Sequence, residues 1–141
     1  MLDNELTFDE ATAHLTTEAS TNLIDLNSVG NIGAGTPVYV TARVTAAMTD
    51  TGSDSTQTLT VETDDNTSFS SPTTIQTLGT FAATAAIGTK LSMALALSDS
   101  YERYIRIKYT VAGGNLTTGS FSVYLSLVPD ADYKYPDALT E

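Results

Sequence analysis

Strict alternation of apolar and polar residues is the feature that most constrains how this chain can fold. In VYVTARVTAAM (residues 38–48) an apolar residue occupies every second position, starting from Val38. Because successive side chains of a β-strand point to opposite faces, this pattern indicates a strand with one buried face. Similar runs occur in TQTLTVET, KLSMALAL, YIRIKYTV and SFSVYLSL, and weaker ones in NLIDL and TTIQTLGTF. Seven or eight short strands at nearly regular spacing favour a β-sandwich or jelly roll.

The segment from Tyr101 to Val128 reads as two strands joined at AGGNLTTG. Two alternating runs about a Gly-rich centre predict an antiparallel hairpin. Tyr104 and Tyr124 then lie on its outer face, where they would form a cross-strand aromatic pair. Exposed tyrosines also suit binding of a sugar or a protein, so an interaction surface is the alternative interpretation.

A basic stripe runs along the first of these two strands. Arg103, Arg106 and Lys108 make up half of the six Lys and Arg residues of the chain. In a chain with a formal charge of -11, such a stripe either neutralises local acids such as Glu102 or meets an acidic partner. Both alternatives make this strand a pairing or interaction surface.

We expect one all-β domain, a jelly roll or β-sandwich of about eight antiparallel strands with extended N- and C-terminal arms. Residues 1–18 lack strong periodicity and are interpreted as an N-terminal arm. Residues 19–128 form the sandwich, and residues 129–141, with two prolines and four acids, form an acidic C-terminal tail.

Charge and composition exclude several classes of function. With 17 acidic residues against six basic ones, the surface repels phosphates, so we expect no direct nucleic-acid binding. No apolar run approaches the roughly 18 residues of a membrane span. The absence of cysteine excludes disulfides and thiolate metal sites. The start MLDNELTFDEATAH has acids where a signal peptide would be basic, so we do not expect secretion.

Catalytic and cofactor-binding residues are not predicted. The one histidine, His14, lies in the polar arm, where we expect it to be a surface residue, and a Ser-His-Asp or His-rich metal site cannot be built around it. The glycines of GNIGAG (residues 30–35) precede a strand and do not open a helix, so this segment is not a phosphate loop.

Carboxylates cluster in three segments, at Asp50 with Asp54, at Asp64 with Asp65 and Asn66, and at Asp130 with Asp132. Oxygen ligands of this kind could hold calcium, and paired acids could serve a glycosidase. None of the clusters has EF-hand spacing, and Asp and Asn in turns commonly hydrogen-bond their own backbone. We therefore predict no metal site, with calcium in these loops as the alternative.

Several segments, taken together, carry a resemblance to a known family. They are MLDNEL, STNLIDL, GAGTPVYV, FSSPTTIQT and ERYIRIKYTVAGGNLTTGSFSVYL, in that order along the chain. In these segments the chain resembles the small cement, or decoration, proteins on the capsids of tailed bacteriophages. The resemblance runs from Met1 to about Val128, and its most specific parts are FSSPTT (residues 69–74) and RYIRIKYTV (residues 103–111).

The resemblance implies a jelly-roll protein without enzymatic activity or cofactor that binds the outside of a shell of HK97-like major capsid proteins. The implied partners are that capsid protein and further copies of this chain, as a dimer or trimer, without any membrane. The implied location is the outer capsid surface of the virion, after synthesis in the bacterial host cytoplasm. The candidate capsid or subunit contacts are Leu2, Leu6, Phe8, Arg103, Tyr104, Arg106, Lys108, Tyr124, Tyr133 and Tyr135.

Two alternatives remain at this point. The arm residues among these candidates could pack onto their own domain instead of a partner. The whole protein could be a non-catalytic carbohydrate-binding sandwich on the virion surface, for which a flat tyrosine platform would be the signature and against which the absence of Trp counts.

Overall fold

Nine β-strands make up the regular structure of residues 6–27, 37–96 and 100–127, the ranges that the computed structural model describes. They are β1 (Thr7–Ala13), β2 (Glu18–Ala19), β3 (Ile24–Asp25), β4 (Tyr39–Thr49), β5 (Thr56–Asp64), β6 (Thr73–Ala82), β7 (Lys90–Ala94), β8 (Tyr104–Ala112) and β9 (Thr118–Ser126). A four-stranded sheet has the order β1-β9-β4-β7, and a five-stranded sheet has the order β2-β8-β5-β6, with β3 also paired to β8. The pairings are antiparallel, so the predicted all-β sandwich is confirmed.

The core lies between the two sheets and is filled by the alternating residues of their central strands. β4, β5, β8 and β9 contribute fully buried side chains, namely Val40, Ala42, Val44, Leu59, Val61, Ile105, Ile107, Tyr109, Phe121 and Val123. The aromatic rings interlock across the core, with the centres of Phe81 and Phe121 5.6 Å apart and those of Tyr109 and Phe121 5.7 Å apart. The period-2 pattern therefore identified the buried faces of these strands.

β8 and β9 do not form a hairpin, and that prediction is wrong. β8 pairs with β5 in the five-stranded sheet, whereas β9 pairs with β4 in the other sheet. Residues 113–117 cross from one sheet to the other, and the buried Leu116 fills the crossing, its backbone N–H donating to the carbonyl of Leu15 at 3.0 Å. Tyr104 and Tyr124 consequently lie on different sheets, so the cross-strand pair expected between them does not form.

Gly113 permits this crossing. Its φ of 88° lies in the left-handed region, and a Cβ at this position would stand 2.5 Å from the carbonyl oxygen of Asp54. Only glycine combines that backbone angle with so close an approach to a neighbouring chain. The Gly-rich centre of this segment thus serves a sheet-to-sheet connection.

Part of the segment predicted as an N-terminal arm belongs to the sandwich. Residues 7–13 form β1, which pairs with β9, and Phe8 is fully buried in the core. The register between β1 and β9 shifts twice, and Ala11 has a φ of 47°. These irregularities break the alternation, which explains why the sequence pattern did not indicate a strand here.

Side chains and loops bridge both lateral sides of the sandwich. On one side, Gln76 of β6 donates from Nε2 to the carbonyl of Ala94 at 2.9 Å and accepts from the N–H of Ala96 at 2.7 Å. On the other, the N–H of Asn22 donates to the carbonyl of Phe8 at 3.0 Å. These contacts link the outer strands of the two sheets.

A membrane-spanning helix is not found in the described ranges, where no helix is long and apolar enough to cross a bilayer.

Candidate functional site

An apolar groove with a volume of about 290 Å³ lies at one end of the sandwich. Its walls come from β3, from β9 and from residues next to the ends of β1, β3, β4 and β9, and the lining residues include Leu6, Leu26, Val38, Leu125 and Leu127. Leu127 is 66% exposed and Leu6 40% exposed, although the alternation predicted Leu127 to point into the core. Exposed leucines around a concave apolar surface are typical of a surface that a partner covers. We call this surface the apolar groove.

Chain segments outside the described residues attach beside the apolar groove. Leu6 directly follows residues 1–5, and Leu127 directly precedes residues 128–141. Between them, Leu26 and Val38 each lie two residues from the segment 28–36. Three segments of the chain therefore join the described domain at the same end.

Three of the predicted contact residues, Leu2, Tyr133 and Tyr135, lie outside the described residues. Leu2 is four positions before Leu6, and the two tyrosines are six and eight positions after Leu127.

The rim of the apolar groove carries an ion pair between Arg103 and Asp25. Arg103 donates from Nε to Asp25 Oδ1 at 3.0 Å and from Nη2 to Asp25 Oδ2 at 2.8 Å. This pairing lowers the pKa of Asp25, and Asp25 itself lines the groove. The Arg103 guanidinium also lies 5.1 Å from the centre of the Tyr104 ring. Two predicted contact residues, Arg103 and Tyr104, are therefore placed at this rim.

Arg106 and Lys108 lie farther along the outer face of the five-stranded sheet. Arg106 donates from Nε and Nη2 to Glu62 Oε2, at 3.0 and 2.8 Å, and covers the ring of the buried Phe69 at 4.2 Å. Both arginines of the basic stripe are thus paired with acids of the same domain, Arg103 with Asp25 and Arg106 with Glu62. Glu102, which was predicted from the sequence as a possible partner, pairs with neither arginine. Lys108 is half-buried on the same strand.

Tyr124 occupies a different surface. It lies half-buried on the four-stranded sheet and lines a second concavity of about 340 Å³ together with Arg43 and Ile87. Ile87 is 68% exposed there. Since Phe8 is in the core and Tyr124 is on another face, the predicted contacts that gather at the apolar groove are Leu6, Arg103 and Tyr104.

A protein-family model, Bbp16, matches residues 8–125 of this chain. The chain belongs to the Bbp16 family. The Bbp16 match begins in β1 and ends in β9, so it covers the sandwich and includes the strand that the alternation did not predict. Leu26, Val38 and Leu125 of the apolar groove lie inside the matched range, and Leu6 and Leu127 lie two residues beyond its ends. The curated proteins that were compared contain no match to this chain.

Within the Bbp16-matched range, ligand oxygens of Asp64, Asp65 and Glu102 lie within 4.8 Å of one another. The carboxylate of Asp64 forms hydrogen bonds within the turn that follows β5. It accepts from the N–H of Ser71 at 2.9 Å and from Asn66 Nδ2 at 2.8 Å. Burial opposes the ionised form, but backbone N–H groups of Ser71 and Asn66 lower the pKa of Asp64. Asp64 therefore has the turn-forming role expected of acids in such loops. Asp130 and Asp132 lie outside the described residues.

His14 is buried, which overturns the surface position predicted for it. Its ring is stacked on Tyr109, with centres 3.9 Å apart, and is 3% exposed. Nε2 lies 3.1 Å from Asp9 Oδ2, and Nδ1 lies 3.1 Å from Glu18 Oε1. The sequence pattern missed this cluster because Tyr109 lies 95 positions beyond His14 and the segment from Asp9 to Glu18 has no regular periodicity.

Proposed function

We propose that this protein is a structural virion protein that cements the capsid of a tailed bacteriophage. It binds the outer surface of a shell of HK97-like major capsid protein and bridges adjacent capsomers. The observation that carries the proposal is the apolar groove, where exposed leucines lie beside the attachment points of residues 1–5, 28–36 and 128–141. The family resemblance of the sequence supports the same function.

The mechanism is physical. A shell packed with DNA is pushed outward, and a cement oligomer that spans two capsomers resists their separation by adding buried contacts across the seam. Each copy contacts more than one lattice point, so modest single interfaces become strong through effective concentration. A dimer or a trimer satisfies this geometry equally.

The apolar groove has the composition of a protein interface. Its walls are apolar, and a bidentate ion pair, Arg103 with Asp25, lies on its rim. Burying an exposed leucine side chain contributes about 1.5–3 kcal/mol, whereas an exposed ion pair mainly fixes orientation. Leu127 is therefore the residue on which binding should depend most.

The test is co-sedimentation of the purified protein with capsids from which it has been stripped. We expect the wild-type protein to bind and to raise the temperature at which the shells open. Leu127→Asp should weaken binding by about 10- to 150-fold, the equivalent of the burial energy of one leucine. Ile87→Asp is the matched control, because Ile87 is equally exposed but lies on the second concavity.

The possible outcomes distinguish a wrong cement function from a wrong choice of the apolar groove as the binding surface. Wild-type protein that ignores capsids overturns the cement proposal. Wild-type protein that binds, together with Leu127→Asp that binds equally well, keeps the function but removes the apolar groove from it. Equal thermal unfolding of the two variants verifies that each remains folded.

A carbohydrate-binding function has weaker support. Such sandwiches need a flat aromatic platform, and Tyr104 and Tyr124 lie on different sheets and cannot form one together. The two tyrosines are also half-buried.

A further inference from the structure

The buried cluster around His14 joins the two sheets. Asp9 belongs to β1 of the four-stranded sheet, whereas Glu18 and Tyr109 belong to β2 and β8 of the five-stranded sheet. His14 lies between them, and its carbonyl accepts a hydrogen bond from Gln57 Nε2 of β5 at 3.2 Å. The charged and titratable groups that face the imidazole are thus Asp9, Glu18 and Tyr109, with the neutral Gln57 on the remaining packed strand.

The two ring nitrogens of His14 face two different carboxylates. Each nitrogen has a carboxylate oxygen at 3.1 Å, and within the described ranges neither nitrogen makes a hydrogen bond of regular geometry, so the two contacts are charge contacts. A neutral ring carries one N–H, so it always turns a lone pair toward one of the two carboxylates. Only the imidazolium places a positive charge beside both. The positions of Asp9 and Glu18 therefore select the charged form.

The buried carboxylate of Asp9 also favours a positive charge on His14. Its carboxylate is fully buried, and it accepts from the N–H of Thr21 at 2.9 Å and from the Tyr109 hydroxyl at 2.7 Å. A buried carboxylate with only neutral donors keeps an uncompensated negative charge, which destabilises the folded state. His14 is the cation that lies beside it.

We propose that His14 is a buried imidazolium that clamps β1 to the five-stranded sheet, and that loss of its proton as the pH rises loosens β1. The clamp is a pH-sensitive device built into the sandwich. It is independent of the capsid-binding function proposed above, since it concerns residues of the core and not of the apolar groove.

The direction of the pH dependence follows from the two partners. Burial lowers the pKa of His14, but hydrogen bonding and charge from Asp9 and Glu18 raise it above the ordinary 6.5. Burial raises the pKa of Asp9, but His14, Thr21 and Tyr109 lower it below 3.8. The contribution of His14 is therefore complete below pH 6.5 and is lost as the pH rises through its folded pKa. The contribution of Asp9 is complete above pH 3.8 and is lost as the pH falls through its folded pKa.

The first test is direct because His14 is the only histidine in the chain. The nitrogen-15 chemical shifts of its ring report the protonation of each nitrogen without assignment ambiguity. We expect both nitrogens to be protonated below one shared midpoint, which lies above the ordinary pKa of histidine. A ring that is neutral at pH 7 and titrates at or below about 6.5 overturns the proposal.

The second test measures whether β1 loosens. Hydrogen exchange of the β1 amides, corrected for intrinsic rates, is compared with that of the β4 amides from about pH 5 to about pH 9. We expect β1 protection to fall relative to β4 as His14 loses its proton. Protection that stays in constant proportion across the titration contradicts the clamp.

Two variants on the same segment sharpen both tests. Glu18→Gln removes one of the two carboxylates at a partly exposed position, and it should lower the His14 midpoint by roughly one unit and move the loss of β1 protection with it. Glu10→Gln, at an exposed position of β1, should leave both unchanged. Equal effects of the two substitutions would show that net charge, and not the clamp, sets the pH dependence.

Discussion

The central guanidinium carbon of Arg106 lies 4.2 Å from the centre of the Phe69 ring, while Nε and Nη2 both donate to Glu62. The loop between β5 and β6 is thereby fixed to the outer face of the five-stranded sheet. Phe69 is buried without belonging to the core cluster between the sheets, and the Arg106 side chain covers it.

Arg106→Lys should lower the free energy of unfolding by about 0.5–1.5 kcal/mol, because an ammonium cannot stack on the ring and donate through two nitrogens together. Urea unfolding measures the change. Arg103→Lys is the matched control at an exposed pair, where we expect a smaller effect. Equal losses from the two substitutions would remove the special role of Phe69.

Gly113→Ala should destabilise the protein more than Gly88→Ala. Both glycines have a φ of 88°, so the cost of the left-handed backbone, about 1 kcal/mol, is common to both. A Cβ at Gly88 meets nothing within 4 Å, whereas one at Gly113 approaches the backbone of Asp54 to 2.5 Å. The difference in thermal unfolding between the two variants measures the tightness of the sheet-to-sheet crossing. Identical unfolding would mean that the crossing relaxes freely.

Thr63→Val should cost about 1–2 kcal/mol of stability. The Thr63 hydroxyl is buried, donates to the carbonyl of Tyr104 at 2.9 Å and accepts from the N–H of Glu102 at 2.8 Å. Valine has nearly the same shape but leaves both backbone groups without this partner. Thr58→Val, at a hydroxyl that bonds only to Thr80 on the outer face, should change stability by less than about 0.5 kcal/mol. A loss at Thr63 no larger than at Thr58 would indicate that water replaces the hydroxyl.

A glycan array should show no binding that depends on both Tyr104 and Tyr124. A flat sugar-binding platform needs coplanar rings on one face, and these rings lie on different sheets. Tyr104→Ala and Tyr124→Ala are each compared with the wild-type protein. Glycan binding that both substitutions abolish would favour the carbohydrate-binding alternative.

Local sequence pattern predicted which residues face the core, but not which strands are neighbours. Val40, Ile107 and Phe121 were predicted correctly because burial on one face of a strand repeats every second residue. The partners of β8 and β9 are set by contacts with β5 and β4, whose paired residues lie at least 40 positions earlier in the chain. A Gly-rich connection fits a hairpin and a crossing equally well, so the pattern alone favoured the shorter connection.

The candidate site was predicted in part for the same reason. Arg103 and Tyr104 were singled out from the basic and aromatic pattern of one strand, and the structure adds their neighbour Asp25 from β3. Leu127 was missed because the alternation continues past the end of β9, where no sheet remains to cover it. His14 was missed because burial of a polar residue depends on partners that only the fold brings together.

The hydrogen bonds of Gln76 and Asn22 at the two lateral sides of the sandwich bear on how copies of the protein can contact each other. A neighbouring copy that tried to add a strand to β6 would have to displace the Gln76 side chain, and one that approached β1 would have to break the bond from Asn22. Unpaired strand edges are the usual starting points for fibre growth and amyloid-like aggregation. The Gln76 and Asn22 contacts therefore oppose the addition of a strand from another copy at β6 and β1.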